Sequence, residues 1–254
     1  MNSGALAKPL AGVGEFYAMS ASTIVATFKR PFAWQELVVQ TWFVARVAIM
    51  PTVLLSLPFT VLTVFIINIL LVEIGAQDLA GSGAALGAVT QIGPIVTVLV
   101  VAGAAATAMC ADLGSRVIRE ELDAMRVMGI DPTQALVVPR VLAATVVAFL
   151  LAPVVSCVGL LGGFFFSVFL QHATPGAFVG GLTLVVGLPE IVIALTKAAL
   201  FGFAAGLIAC YKGISVGGGP AGVGNAVNET VVYSFVALFV INVLVTAVGV
   251  KATS

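Results

Sequence analysis

Charge is what this sequence has least of. Of its 254 residues only 9% are Asp, Glu, Lys or Arg, whereas a soluble domain carries about 25%, and 61% are hydrophobic, with a mean hydropathy of +1.19. Such a chain cannot cover a water-soluble fold with polar surface, so it reads as a polytopic membrane protein. Eleven basic and eleven acidic side chains cancel, and the isoelectric point lies near 6.6. No basic stripe is available for nucleic acid. Histidine occurs once, at His172, which reads as a solvated loop side chain. The three cysteines, Cys110, Cys157 and Cys210, lie far apart in apolar runs without CxxC or Cys/His spacing, which removes a disulfide framework and a metal site; each reads as a small buried hydrophobe. No GxxxxGK[ST] occurs, so ATP has no loop to bind here.

A cleavable signal peptide is not written at the start either. Lys8 is followed by only a short apolar stretch before Glu15, and Lys29, Arg30 and Pro31 interrupt what comes next. Residues 1–45 therefore read as a retained cytoplasmic and interfacial segment. Its apolar residues recur with helical spacing from Phe16 to Phe28 and from Phe32 to Ala45, with Pro31 between, while Trp34, Trp42, Lys29, Arg30 and Arg46 suit the headgroup region.

What is abundant is long apolar runs. Val47–Val72, Leu86–Ala111, Ala135–Leu170, Gly187–Tyr211 and Thr230–Val250 are each long enough to cross a bilayer, which needs about 20 residues as helix. Pro51, Pro58 and Pro153 lie inside runs and predict kinks. The second run is rich in Ala, Gly and Thr, which places it inside a bundle, and the pairs Gly159/Gly163 and Gly202/Gly206 mark close helix contacts. The connections read as a short polar stretch Glu73–Gly87 that includes Asp78, a mixed loop Gln171–Pro189, and a glycine-rich loop Lys212–Asn228. With the N-terminus inside, nine of the eleven basic residues are cytoplasmic; Lys251 is outside and Lys197 lies within the membrane. The predicted fold is all-α: an N-terminal interfacial helix, five transmembrane helices over residues 46–254, and a cytoplasmic coupling helix at about 115–128.

That coupling helix sits in the one charged island, Asp112–Arg140, DLGSRVIREELDAMRVMGIDPTQALVVPR. Val117, Ile118, Leu122, Met125 and Met128 fall on one side of a helix, and Arg116, Arg119, Glu120, Asp123 and Arg126 on the other. Arg116 with Glu120 and Arg119 with Asp123 stand at i, i+4 spacing, each pair worth about 0.2–0.5 kcal/mol. Gly129 is a natural stop, and Asp131-Pro132 fits an N-cap and first helical position that restart the chain as the third span. Such a helix either docks in a groove of a separate ATPase or rests on the headgroups. Glu120, Glu121 and Asp123 favour docking, because a membrane-resting helix carries a mostly basic polar face.

Lys197 stands inside an apolar run, where an ammonium costs at least about 2.5–3.5 kcal/mol and so faces a partner or a water-filled cavity. Glu190, seven residues earlier, lies on roughly the same helix face and could pair with it. A structural ion pair and a role in a lipid path are both open.

The run EELDAMRVMGIDPTQALVVPRVLA resembles the signature of the MlaE/YrbE permeases of Mce-type lipid ABC transporters. YKGISVGGGPAGVGNAVNETVVYS resembles a second block of that family, as does Lys197 followed by Phe201-Gly202. Departures are Leu113-Gly114-Ser115-Arg116, where the family often has Leu-Gly-Thr-Met, and Asn242, where it commonly has Asp; these are similar to actinobacterial YrbE subunits. The resemblance implies a permease subunit that moves hydrophobic lipid (fatty acid, mycolic acid, sterol or phospholipid), as import, across the plasma membrane. It implies ATPase coupling through Arg116, Arg119, Glu120, Glu121, Asp123, Arg126, Met128 and Gly129, while Glu190 and Lys197 stay candidates for a lipid path on the argument from a buried charge. It also implies a paralogous second permease as heterodimer partner, a cytoplasmic ATPase dimer that binds ATP and Mg, and extracytoplasmic Mce proteins. This chain would then hold no cofactor and be no enzyme. Two other readings are a non-transporting anchor for Mce proteins and an intramembrane lipid-modifying enzyme; the latter lacks a cluster of His, Asp, Ser or Cys.

Overall fold

The computed structural model describes residues 3–30, 32–76, 79–170 and 174–253, with side chains described from residue 12 to 249 and at Lys251. Pro31, Asp78 and His172 and the side chain of Lys8 lie outside the described residues. Among those described, all regular structure is helical. Helix α1 is Ser3–Thr27, α2 Trp34–Glu73, α3 Ala80–Ile118, α4 Glu121–Val127, α5 Thr133–Phe169, α6 Pro175–Val185, α7 Leu188–Ile214 and α8 Gly219–Thr253. Five of these, α2, α3, α5, α7 and α8, are long and apolar enough to cross a membrane. The protein is an all-α, multi-pass membrane protein.

The buried residues of α2 fall on a single stripe: Gln40, Val44, Ala48, Thr52, Ser56, Thr60, Val64 and Asn68, each four positions after the last. Ridges of i±4 residues seat best on a matching ridge of another helix. Helix α5 supplies it, with Gly159 against Thr60, Gly163 against Val64, and Ser167 accepting a 2.8 Å hydrogen bond from Asn68 Nδ2. The register is constant along these contacts, so α2 and α5 run parallel. On another face of α5, Gly202 and Gly206 of α7 sit against the backbone of Ala144 and Val141. Both small-residue pairs therefore mark close contacts, as the sequence predicts. Helix α3 is central, with 61% of its apolar window buried, whereas α8 is peripheral at 11%. Within α3 and at the start of α5 the helix widens into π-helical turns at Leu86–Ile92, Val101–Ala106 and Thr133–Val137.

Four sequence expectations change. Phe32–Ala45 is not a separate surface helix: from Trp34 onward it is continuous with the first span, because no Gly or Pro separates Ala45 from Val47. The stretch between the first two spans is already helical from Ala80. The Gln171–Pro189 connection contains α6, whose Gly181 and Phe178 pack on Gly81 and Ser82, with Ser82 Oγ donating to the Gly181 carbonyl at 2.9 Å. The glycine-rich loop shrinks to about Ser215–Gly218. Gly218 and Gly219 adopt φ of +83° and +74°, which turns the chain, and Pro220 then suits the first turn of a helix that takes in Gly222, whose missing side chain lets the Gly217 carbonyl close on it, and Gly224.

Helix α1 lies against one end of the bundle, touching the start of α5 and the end of α7. Phe16 meets Tyr211 edge-on with 5.5 Å between ring centroids, and Tyr211 donates its hydroxyl to the Gly12 carbonyl at 3.0 Å. That is also the end at which α4 sits.

Candidate functional site

The charged island folds as two helices. Helix α3 carries on out of its apolar span to Ile118, and the chain then breaks at Arg119–Glu120, where Glu120 has φ 58° and ψ 19°. A left-handed backbone is costly for a residue with a Cβ and persists only where its surroundings impose it. The expected single amphipathic helix over 115–128 is thus corrected to the end of α3 plus α4. With the break between them, Arg116 and Glu120, and Arg119 and Asp123, lose i, i+4 geometry and do not pair. Instead Arg119 Nε reaches Glu121 Oε1 at 2.7 Å, Arg116 Nη1 approaches Glu121 Oε2 at 3.7 Å, and Arg126 Nη1 meets Asp123 Oδ1 at 2.8 Å.

Packing explains why α4 stays in place. Leu122 is buried among Leu113, Leu136, Val137, Val141 and Leu207, with Val117 and Met125 packed beside it. Met128 does not join that face: it is 66% exposed, next to Val127 at 89% and Ile130 at 43%. Gly129, at φ +77°, ends α4, and Asp131 Oδ1 accepts from the Thr133 amide at 2.9 Å to start α5. The result is a short, charged element fixed by one leucine and presenting an apolar tip away from the bundle.

Beneath α4 lies a network that sequence reading left unassembled. Arg140, fully buried near the start of α5, donates from Nη2 to Asp112 Oδ2 of α3 at 2.5 Å and from Nη1 to the Leu136 carbonyl at 3.0 Å. Its Nη1 is 3.6 Å from Glu36 Oε1 of α2, and Gln40 Nε2 holds that same Glu36 oxygen at 2.8 Å. Asp112 also pairs with Arg116 at 3.3 Å. The residues were visible as isolated charges at the ends of three apolar runs, but nothing local announces that they meet.

Lys197 is 2% exposed on α7 and has no ion-pair partner among the described residues. The expected pairing with Glu190 is not made. Glu190 instead turns back and accepts a hydrogen bond from the Gly187 amide at 2.8 Å, capping α7. Ile193 against Gly249, and Phe201 with Leu238 and Ile241, set the register of α7 on α8 and place Lys197 at the level of Asn242–Gly249. At the far end of the bundle, an apolar cavity of about 180 Å³ lies between α3, α5 and α7, lined by Pro94, Pro153, Ser156, Ile191 and Leu195 among others.

Comparison with known proteins gives the chain a family. The family model described as "Permease MlaE" matches residues 37–248, which takes in α3, α5 and α7 whole, all but the ends of α2 and α8, α4, and the network except Glu36. A "Probable ABC transporter permease protein" of Rickettsia typhi is 28% identical over 199 residues, 75% of this chain and 77% of its own length. One of Synechocystis sp. is 32% identical over 168 residues, 66% and 64% respectively. The chloroplastic protein TRIGALACTOSYLDIACYLGLYCEROL 1 of Arabidopsis thaliana is 29% identical over 168 residues, 66% of this chain and 48% of its own. Five apolar helices, a charged element between the second and third, and a match over most of its length make this chain an ABC transporter permease of the MlaE family.

Proposed function

We propose that this permease moves hydrophobic lipid across the plasma membrane, driven by a separate ATPase that docks on α4. The observation that carries the reading is the tip of α4, where Val127, Met128 and Ile130 stand exposed, on a short element that also carries the exposed ion pairs Arg119–Glu121 and Arg126–Asp123. Exposed apolar residues beside exposed charges are the composition of a helix that enters a partner's groove. The positive-inside asymmetry supports a cytoplasmic position for this end, with α1 and the α7–α8 turn, and an outer position for the C-terminus.

The direction is import, and the assembly contains a paralogous second permease, two ATPase subunits that bind ATP and Mg, and Mce-type proteins on the outer side. The support is the likeness of the Glu120–Ala143 and Tyr211–Ser234 segments to MlaE/YrbE permeases, with Arg116 and Asn242 as departures in the direction of actinobacterial subunits. Lys197, buried with no ion-pair partner among the described residues, belongs to the lipid path. Reversing the charge of Glu120, Glu121 and Asp123 tests the docking. The expected result is loss of ATPase co-purification and of lipid transfer with the permease still membrane-inserted; survival of both would sink the reading.

A further inference from the structure

We propose that Arg140 is the pivot through which α4 moves α2, a positioning residue whose guanidinium shifts its hold between Asp112 and Glu36 during the transport cycle. This rests on the docking of an ATPase at α4 and adds the route by which docking is felt in the spans.

The argument begins with an unequal pair of contacts. Arg140 holds Asp112 tightly at 2.5 Å, but Glu36 stands 3.6 Å away, close enough to be attracted and too far for a hydrogen bond. Meanwhile the Nε–H of Arg140 is buried and has no acceptor among the described residues. A buried donor left unmade is costly, and a guanidinium presents its donors in a rigid fork suited to taking a carboxylate with two of them. The Nε of Arg140 is thus vacant, while Glu36 stands just out of reach of Nη1, which donates only to the Leu136 carbonyl. A displacement of α2 or α5 by about 1 Å, the size of ordinary helix shifts in switching proteins, turns the loose contact into a hydrogen bond.

The other carboxylate leads to α4. Asp112 is shared with Arg116 at 3.3 Å, and Arg116 reaches Glu121, the first residue of α4, at 3.7 Å. The residue between the helices is Glu120, held in the left-handed region, so α4 is joined to α3 through a strained joint and not through continuous helix. Movement of α4 draws on Arg116, which competes with Arg140 for Asp112. As that hold loosens, Arg140 turns to Glu36. Because Glu36 begins the helix whose ridge seats on α5, the change is delivered along the whole α2–α5 contact. A static lock would use every donor of Arg140 and leave no carboxylate at 3.6 Å.

The test uses the full-length permease with its ATPase in proteoliposomes. Spin labels at Val38→Cys of α2 and Val232→Cys of α8, both exposed, in a Cys157→Ala background, report the α2–α8 distance without nucleotide and with vanadate-trapped ATP. The parent shows a nucleotide-dependent change in distance. Glu36→Gln and Asp112→Asn, which keep shape and remove charge, abolish that change and raise the ATP consumed per lipid moved roughly tenfold, while Asp112→Glu retains both parental values. A parental distance change that persists in Glu36→Gln, or no change with nucleotide in the parent, overturns the pivot. Should the parent change its distance and move no lipid, the lipid reading fails and the variants still decide the pivot.

Discussion

Gly159 of α5 and Thr60 of α2 approach so closely that a methyl group on the glycine would lie 2.6 Å from Thr60 Cγ2. Two spans are thus held at a separation that only a residue without a side chain allows. Thr60 in turn gives its hydroxyl to the Ser56 carbonyl at 2.5 Å, which keeps the ridge free of unpaired polar atoms at this point.

Gly159→Val is therefore expected to force α2 and α5 apart, at a cost of about 1–3 kcal/mol for overpacking. Gly202→Val, aimed at the Ala144 carbonyl 2.5 Å away, should cost at least as much because backbone yields less than a methyl. Thermal unfolding of the purified protein in detergent checks both, and melting temperatures equal to the parent's would contradict the contact.

Asn68→Ala removes the 2.8 Å hydrogen bond to Ser167 inside the bundle. Hydrogen bonds between membrane helices average about 0.6 kcal/mol, so a small destabilisation is expected. Ser167→Ala added to it should contribute little more, and full additivity in a double-mutant cycle would show that the two side chains act separately.

At the joint between α3 and α4, Glu120 occupies a backbone region that glycine adopts freely and β-branched residues avoid. Glu120→Gly should leave the melting temperature at or above the parental value, and Glu120→Val should lower stability by at least about 1 kcal/mol. Equal melting temperatures for the two variants would mean that the left-handed turn is not maintained.

Val127→Asp and Met128→Asp alter side chains that are 89% and 66% exposed. Neither should change the yield or melting of the isolated permease. Each should reduce the ATPase retained on purification by roughly tenfold, the equivalent of about 1.4 kcal/mol of interface. Retention at the parental level would place the docking surface elsewhere.

Lys197→Met separates two roles for a buried ammonium. If the charge serves the lipid path, removing it relieves a cost of about 2.5–3.5 kcal/mol, so the variant melts no lower than the parent while lipid transfer falls. A lower melting temperature with transfer falling in parallel would show that Lys197 holds helices together.

The parts of this protein legible in its sequence are those whose cause is local. Five runs of apolar residues specify five spans because hydrocarbon excludes polar side chains one by one. Gly129 and Asp131-Pro132 specify the end of one helix and the start of the next because their backbone preferences need no distant partner. Small residues four apart, Gly159/Gly163 and Gly202/Gly206, announce close contacts, since only a close neighbour makes their size useful.

Local signals also misled where tertiary contacts competed with them. The apolar and charged faces of 115–128 read as one helix, but burying Leu122 among Leu113, Leu136 and Val141 turns the chain at Glu120 and rearranges every ion pair. The glycines after Lys212 read as loop, yet Pro220 and the apolar residues that follow carry most of that stretch into α8.

By itself the sequence determined that this is a multi-pass helical permease with one charged element between its second and third spans. Only the tertiary structure decided that Glu36, Asp112 and Arg140 meet, that Glu190 caps its own helix instead of pairing with Lys197, and which ridge of α2 seats on α5. The physical reason is one of range. Hydrophobic periodicity and helix stops are fixed by neighbours within a turn or two, whereas an ion pair between three helices exists only once their register has been set by packing along their full length.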